Sequence, residues 1–557
     1  LLDDHVKAKV DGSSALDSPT TTRIESSSSK NIDNYGATGS FAGTAGIAGT
    51  VAVKVVDGGA QTLVADNAAI NADGSGGDQQ DVILSSSDTT HVGDTLGEIS
   101  ASGSAAVGAV VDVTLIRSGA LTRLEDNPRL NASHDIELTS EADRQVDLLA
   151  LSGNVSAGGS ATGAVSVVNI GSRPGQDARD LSEASVEHAD DLLQQSRIGQ
   201  PPDGSSGVPA EVVETADAHR EEGVHDDYSR DPEECTARVD VGDGAELHAG
   251  NDLQADANTT RSVDTINIGG AAGPVGALGG AVCVVSVADR TSTELAGSLR
   301  AGNSVAVMAE DYNQDHQTGN WLGEDEEESL TEFLAPDALQ QDDPASELRT
   351  YAGEGAAVGL GATVSLFENS STATARLGAD ASVSAPGDRS LEEIVIDASL
   401  NPSVDNQTLQ AAFGIAGVGA SVCHNTLSGT ATAGVGSNAS VAAEKLSVRS
   451  DVSTLNESYS MGVSGGGVAA VAADAQSINI TGSVARIGPD ADIFTDESVD
   501  VSASTTPRAR AKAVGGAVGG ASVGASHATA RVEPEVTARS DEGATIDTDE
   551  LRIESLV

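Results

Sequence analysis

Two short segments of this 557-residue sequence match the pattern of a catalytic nucleophile. Residues 462–466 and 520–524 both read Gly-x-Ser-x-Gly, and His527 follows the second match. A nucleophile elbow requires a strand, a strained turn and then a helix. Both matches lie in stretches built from Gly, Ser and Ala, where composition alone produces the pattern. We therefore predict no catalytic residue and a protein that is not an enzyme.

Carboxylates form two clusters that could suit a hard cation such as Ca²⁺. The clusters consist of Asp240, Asp243, Asp252 and Asp256, and of Asp490, Asp492, Asp496 and Asp500. The chain holds 85 acidic residues, so such clusters are expected by chance, and no calcium-binding nonapeptide repeat or EF-hand loop accompanies them. The ten histidines are scattered singly, which does not favour metal ligation. The sequence predicts a solvated acidic surface with no cofactor, and Ca²⁺ remains the alternative.

Aromatic side chains are rare, yet four of the eleven fall in or beside one charged stretch. These four candidate contact residues are Tyr312, Trp321, Phe333 and Tyr351. If their rings are exposed, they could contact a ligand or a neighbouring filament. The alternative is that they anchor the charged stretch onto the side of the fold.

A degenerate repeat organises the chain around these residues. Its clearest copies begin at Ala375, Ala433 and Ala485 and read Ala-x-apolar-Gly, two residues, then Ala-x-apolar. The steps between successive apolar anchors are 54, 60, 117, 52, 84, 58, 52 and 53 residues. The two long steps contain charged insertions at 173–230 and 322–350, and subtracting these insertions returns both steps to the common range. Both insertions contain segments, 182–195 and 326–341, that look helical.

Each of the eight repeats includes an arm of Gly, Ala, Ser and Val that is almost free of charge, such as 351–367. The arms end in an alternating pattern that is typical of strands, and Asp, Asn and Gly occupy the joins, as turns require. A unit of this size cannot bury its faces alone but can do so when stacked on similar neighbours. We predict an all-β fold, a parallel β-solenoid with two coils of ~25 residues per repeat and a length of about 75–80 Å. A β-propeller is the competing fold.

This prediction divides the chain into six parts. Residues 1–35 form a partial repeat, and solenoid repeats occupy 36–172, 231–321 and 351–557, separated by the acidic insertions.

The uncharged stretch 266–288 has the length of a membrane span. Its Gly content and its seven relatives favour stacked strands instead. Cys283 and Cys423 occupy equivalent positions two repeats apart, which is too far for a disulfide, so we expect them to be packing residues.

Charge limits the possible partners. Lys and Arg number 30 against 85 Asp and Glu, giving a formal net charge of −55. Such a chain is repelled by nucleic acid and by anionic membrane surfaces. The excess of carboxylates and the scarcity of lysine are typical of proteins adapted to high salt, although a GC-rich genome would also disfavour lysine codons.

The combination of a Gly/Ala arm, a segment such as Ala-Arg-Ile-Gly-Pro-Asp-Ala-Asp-Ile at 485–493 and a short alternating strand resembles the repeats of large secreted bacterial filamentous adhesins. These are of the filamentous-haemagglutinin or leukotoxin-like type. The resemblance covers nearly the whole chain outside the insertions. It implies an extracellular or cell-surface stalk, part of a longer chain or filament, whose partners are copies of itself or components of the cell surface or matrix. No secretion domain, translocator barrel or receptor-binding domain is recognisable. The alternative function is a right-handed β-helix enzyme acting on acidic polysaccharide.

Overall fold

The computed structural model describes residues 2–72, 77–171, 236–313, 346–387 and 390–557, and every regular element within these ranges is a β-strand. Strands that pair do so in parallel, and each pairs with a strand one repeat away along the chain. This arrangement is a parallel β-solenoid, and it confirms the predicted fold class. The segments 182–195 and 326–341 lie outside the described residues.

One turn of the solenoid, which we call a rung, has three parts. In a typical rung, the chain runs outward along residues 82–102, turns at 103–104, and runs back along 105–124. A short strand at 129–132 then closes the starting end before the next rung begins at Ile136. The outgoing and returning strands face each other, because the hydroxyl groups of Ser86 and Thr122 lie 3.0 Å apart. Each rung is therefore a long, thin loop, closed at one end by a base strand.

The strands fall into three stacks. The outgoing layer contains β3 (Thr22–Ala42), β6 (Val82–Ser102), β9 (Ile136–Ser156), the first part of β13 (Asp252–Val287), β16 (Ser304–Asn313), the first part of β17 (Ser346–Asn369), β20 (Glu393–Asn401), β21 (Ser403–Phe413), the middle of β24 (Ser440–Asn479), the middle of β26 (Asp492–Val532) and β29 (Glu550–Leu556). The return layer contains β1 (Leu2–Val10), β4 (Ala45–Val64), β7 (Ala105–Leu124), β10 (Gly159–Ile170), β11 (Thr236–Val241), β14 (Arg290–Leu295), β18 (Thr372–Leu377), β22 (Ala416–Leu427), β23 (Thr430–Val435), β25 (Gly482–Ile487), β27 (Glu535–Ser540) and the last parts of β13, β17, β24 and β26. The base strands are β2 (Ala15–Leu16), β5 (Ala69–Ile70), β8 (Arg129–Ala132), β12 (Glu246–Ala249), β15 (Ser298–Ala301), β19 (Ser382–Ser384), β28 (Thr545–Asp547) and the first residues of β24 and β26.

One repeat forms one rung, so the prediction of two coils per repeat is wrong. Ala416 pairs directly with Val468, 52 residues later, and Ala45 pairs directly with Ala105, 60 residues later. The strands are about 20 residues long, which lets a single coil use the whole repeat. The described residues form eight rungs with both long layers, and a partial rung at each end, which gives a stack about 43 Å high at ~4.8 Å per step. The predicted height of 75–80 Å is therefore too large, and each rung extends sideways for about 70 Å.

The turn between the return layer and each base strand is a recurring local feature. At this turn one residue adopts a positive φ, which glycine tolerates and which Asn and Asp adopt more readily than other residues. The residues are Ser13, Asn67, Asn127, Gly244, Gly297, Asp380, Asn438, Asp490 and Gly543, with φ between 55° and 85°. This turn explains the Asp, Asn or Gly inside the repeat motif, since it redirects the chain into the base strand.

The interior changes in character from the base to the tip of each rung. Next to the base strands, stacked Leu, Ile, Val and Ala side chains such as Leu84, Leu130 and Leu138 form the largest apolar cluster. A second cluster around Val92 and Ile116 lies farther out, and a third around Leu96 and Val110 lies nearest the tip. Toward the tip the layers approach so closely that a Cβ on Gly108 would lie 2.1 Å from the side chain of Glu98. Small residues are thus required where the loop narrows.

Charged side chains separate the first two apolar clusters. Asp289 is bound by the guanidinium groups of Arg144 and Arg261, and Arg261 also contacts Asp311 at 2.6 Å. All four of these side chains are fully inaccessible to solvent. Two rungs before Arg144, Lys30 occupies the same register position and is paired with Asp88 of the intervening rung. The band holds three cations and three anions, so its charge is balanced.

Strand pairing refines the predicted boundaries. β3 runs through the boundary placed between residues 35 and 36, so the partial repeat and the repeat that follows share one strand. Residues 346–350 belong to β17 and pair in register with β21, so strand pairing resumes before residue 351. The rest of both insertions lies outside the described residues.

No helix among the described residues is long and apolar enough to cross a membrane.

Cys283 and Cys423 occupy the same register position, two rungs apart, with Ser365 between them. Both thiols are buried and unbridged. This placement confirms the packing role expected from the sequence.

Candidate interaction surfaces

The structure describes two of the four candidate contact residues, and these two lie at separate places. Tyr312 lies in β16 on the outer face of the outgoing layer, between Thr260 and Asn401 of adjacent rungs, and is half-buried. Tyr351 lies in β17 with 9% of its surface exposed, between Ile268 and Leu409. Trp321 and Phe333 lie outside the described residues. Only Tyr312 of the described pair offers an accessible ring.

The two Gly-x-Ser-x-Gly matches form no recognisable catalytic arrangement. Ser464 points into the interior and is fully buried. Ser522 and His527 are five positions apart in one strand, so their side chains point to opposite faces. His527 instead lies 2.8 Å from Asp474, through Nδ1 and Oδ1, and His424 of a third rung lies 2.9 Å from the other oxygen of that carboxylate.

Two carboxylates of the first acidic cluster, for which Ca²⁺ was the alternative reading, bind protein groups instead. Asp240 accepts hydrogen bonds from Arg123 and Arg238. Asp252 accepts hydrogen bonds from the side chains of Asn251, Asn303 and Ser304. These two carboxylates are already satisfied by protein donors.

Asp81, His134 and Asp135 form the one group among the described residues whose ligand atoms lie close enough together to hold a metal ion. The imidazole Nδ1 of His134 lies 2.9 Å from a carboxylate oxygen of each aspartate. The hydrogen bond to Asp81 raises the pKa of His134. Because Nδ1 lies within hydrogen-bonding distance of both carboxylates, the group fits a structural ion pair as well as a cation site.

Five carboxylates form a continuous row on the outer face of the outgoing layer, which we call the acidic ladder. Its members are Asp147, Asp264, Glu347, Asp405 and Glu457, one from each of five consecutive rungs. Successive members are separated by only one strand spacing, about 4.8 Å. Burial and the neighbouring Glu347 raise the pKa of Asp264 well above its usual value, and burial raises the pKa of Asp405 to about 6. Arg349 and Arg510 pair with Glu347 and Glu457, whereas the buried Asp264 and Asp405 favour protons, or cations from the solution.

The outer face of the return layer has the opposite character. Four adjacent register positions over six rungs carry only aliphatic side chains or glycine, and we call this surface the aliphatic face. Its columns are Ala45, Ala105, Gly159, Gly276, Val358 and Ala416; Ile47, Val107, Ala161, Leu278, Leu360 and Val418; Gly49, Ala109, Gly163, Gly280, Ala362 and Ala420; and Val51, Val111, Val165, Val282, Val364 and Val422. Exposure reaches 51% for Ile47 and 71% for Val51 in the first rung, and it is 42% for Leu360 in the middle of the stack.

This aliphatic face is large for a water-exposed surface. Four columns about 6.8 Å apart and six rungs about 4.8 Å apart cover roughly 800 Å². Soluble monomers rarely expose a contiguous apolar patch larger than a few hundred Å². The aliphatic face carries no charge on a chain whose net charge is −55, and this contrast makes it a candidate interaction surface.

A cleft lined by arginine lies nearer the base, on the same side of the solenoid. Arg238, Arg290 and Arg376 surround a cleft of about 310 Å³ together with threonine and serine residues and Glu294. An adjoining cleft of about 200 Å³ lies between Arg376 and Arg486. Gly434 occupies the register position between these two arginines and so leaves a gap in the ladder of side chains. Arg238 and Arg376 pair with Asp240 and Glu294, yet the local balance is positive on an acidic protein.

The uncharged arms are visible in the sequence, but the acidic ladder and the arginine cleft are not. Members of both come from strands whose sequence separation varies from 52 residues to 117 residues. Only the register of the rungs, including the steps across both insertions, brings them together. Knowing that one repeat equals one rung would have made both alignments readable from the sequence.

The strand pairing places this chain in the class of parallel β-solenoid proteins. Comparisons with family models, curated proteins and solved structures found no match.

Proposed function

We propose that this chain is a non-enzymatic structural segment of a secreted cell-surface adhesin or extracellular filament from a salt-adapted prokaryote. It would act as a stiff acidic stalk for attachment or for matrix assembly. The proposed function needs no cofactor. The partners of the chain would be other copies of the chain or components of the cell surface or matrix, not nucleic acid. The resemblance of the repeats to filamentous adhesins supports this reading.

The observation that carries the proposal is the parallel pairing of each described rung with the next, which continues past local register shifts at Gly273/Gly276 and Ala443/Lys445. Each long strand is hydrogen-bonded along most of its length to the rung before and the rung after, as in the pairing of β6 with β9 over 21 positions. Bending the stack would break many of these hydrogen bonds at once, and opening one layer would expose the buried charge band. A body built in this way resists deformation along its axis.

The height and width of the stack affect how far this segment could extend as a stalk. One repeat of about 52–60 residues adds only one step of ~4.8 Å, so these residues build a broad plate more effectively than a long rod. The width supplies large flat faces, and we infer that lateral surface matters at least as much as length for the function of this segment.

The test is the location of the protein on source cells. Antibodies raised against the 557-residue chain should label intact cells or their surrounding matrix, and external protease should remove the label. A cytosolic marker protein should remain protected in the same cells. Labelling that requires permeabilised cells and survives protease would contradict the proposal.

The arginine cleft supports a second candidate, which is recognition of an acidic polysaccharide. Guanidinium groups bind carboxylate and sulfate groups through paired hydrogen bonds, and threonine hydroxyls can donate to sugar oxygens. Arg290 lines the larger cleft and Arg486 lines the adjoining one, and neither arginine makes an ion pair among the described residues. The alternative enzymatic function would place its substrate here.

A binding and turnover assay separates these possibilities. Polyuronate should bind the wild type, and replacing Arg290 and Arg486 with Ala should weaken binding at least tenfold. Arg129→Ala, at an exposed arginine on a base strand outside the cleft, is the matched control. Neutral dextran should not bind. Release of new reducing ends or unsaturated products would favour an enzymatic function over binding alone. Equal binding by all variants would exclude the arginine cleft as the polysaccharide-binding site.

A further inference from the structure

The aliphatic face has a pattern that is complementary to itself. Its four columns alternate between small and large side chains, with Gly or Ala in the columns of Ala45 and Gly49, and mainly Ile, Leu or Val in the columns of Ile47 and Val51. Val358 and Ala161 are the exceptions. The large columns form ridges along the stack and the small columns form grooves between them. Such a surface can interlock with a copy of itself.

We propose that two copies of this chain pair through their aliphatic faces. The second copy is related by a two-fold axis that runs parallel to the stack, midway between the columns of Ile47 and Gly49. This axis places the ridge of Ile47 over the groove of Gly49 in the partner, and the ridge of Val51 over the groove of Ala45. The two stacks then point in the same direction, with their sheets about 10 Å apart.

The alternative two-fold axis runs along the strands and fits the surface less well. That axis would lay each column on the same column of the partner, so ridges would meet ridges and grooves would meet grooves. Packed interiors contain few voids, and unfilled grooves forfeit dispersion contacts. The alternation of side-chain size therefore selects the parallel arrangement of stacks.

Area and charge both favour a second copy as the occupant. Roughly 800 Å² from each partner matches the area that stable protein interfaces bury. Two molecules that each carry a net charge of −55 repel each other wherever carboxylates face each other, and the aliphatic face contributes none. High salt would screen the remaining repulsion and strengthen apolar contact, so pairing should increase with salt.

Filling a groove tests the pairing without disturbing the fold. A Cβ built on Gly163, in the small column of the third complete rung, meets nothing within 4 Å, so Gly163→Leu adds an outward side chain to open space. Gly353→Leu is the matched control, because its Cβ is equally unobstructed and it lies on the outgoing layer. In 3 M KCl, sedimentation should show dimers for the wild type and for Gly353→Leu. Gly163→Leu should weaken dimerisation at least tenfold.

A charge substitution gives a second, independent comparison. Val165→Glu on the aliphatic face should abolish the dimer, whereas Val155→Glu, an exposed valine of the same rung on the outgoing layer, should not. Circular dichroism establishes that each variant retains its strands. A wild type that stays monomeric at high salt, or a dimer that survives Gly163→Leu and Val165→Glu, would overturn the proposal.

The direction of pairing is measurable with one spin label. Ala472 continues the small column one rung beyond the aliphatic face, and it is exposed. After Cys235→Ser, a label at Ala472→Cys should report a separation below about 20 Å in the dimer with parallel stacks. Antiparallel stacks would separate the labels by about 34 Å, and that result would reject the proposed axis.

Discussion

Asp289 is the most consequential single carboxylate in the interior. Its two oxygens contact the guanidinium groups of Arg144 and Arg261, which come from two successive rungs. Asp289→Asn keeps the size of the side chain but removes the charge. The buried band is then left with three cations and two anions, and Arg144 keeps only the carbonyl oxygen of Ser118 as an observed partner.

Breaking a buried ion pair from one side typically costs about 3–5 kcal/mol, because the remaining charge stays desolvated. Asp240 provides the matched control, since it also accepts hydrogen bonds from two arginines, Arg123 and Arg238. Those arginines are 36% and 28% exposed, and pairs of this kind contribute about 0–1 kcal/mol. We therefore expect Asp289→Asn to destabilise the fold several times more than Asp240→Asn.

Urea unfolding at constant high salt, followed by circular dichroism, measures the difference. Hydrogen exchange should show faster opening of the rungs that contain β9 and the first part of β13 in Asp289→Asn. Adding Arg144→Met removes the stranded cation and balances the charge of the band again, so the double variant should be more stable than Asp289→Asn alone. Equal costs for Asp289→Asn and Asp240→Asn, or no recovery in the double variant, would refute this account of the interior.

Two further perturbations test the electrostatics. Burial raises the pKa of Glu354 to about 8 from 4.5, so the folded state keeps a proton that the unfolded state has lost between about pH 5 and pH 8. The free energy of unfolding should fall through this window by on the order of 4 kcal/mol. In Glu354→Gln, the urea midpoint should depend less on pH than it does in the wild type. An equal pH dependence in both proteins would contradict the raised pKa of Glu354. Salt acts on the acidic ladder: raising KCl from 0.1 M to 3 M shortens the screening length from about 10 Å to under 3 Å. The melting temperature should rise over this range, less steeply after Asp405→Asn, and a melting temperature that falls with salt would contradict the role of the ladder.

The sequence predicted the features that depend on neighbours along the chain. Alternation of apolar residues indicated strands, and Asp380, Asn438 and Asp490 marked turns that the structure shows with positive φ. The repeat step indicated stacking, and the shared position of Cys283 and Cys423 followed from aligning the arms. These signals are local or periodic, so they can be read from the sequence without knowing which residues are in contact.

The number of coils per repeat could not be obtained in the same way. A run such as 82–124 contains alternation throughout, and only the turn at 103–104 divides it into two facing strands. Counting more turns within each repeat led to twice the number of rungs. The buried charges were also unforeseeable, because Asp289 lies 145 residues from Arg144 in the sequence.

The most direct test of the account is an engineered disulfide between rungs. Ala101 and Val155 are register partners in adjacent rungs of the outgoing layer. If one repeat is one rung, their Cα atoms lie about 4.8 Å apart, and Ala101→Cys with Val155→Cys should bridge upon oxidation in a Cys235→Ser background. Ala101→Cys with Gly153→Cys, displaced by two residues along the same face to about 8 Å, should not bridge. Failure of the first pair to bridge would contradict a rung made from a single repeat, since two coils per repeat would hold these residues about 9.6 Å apart.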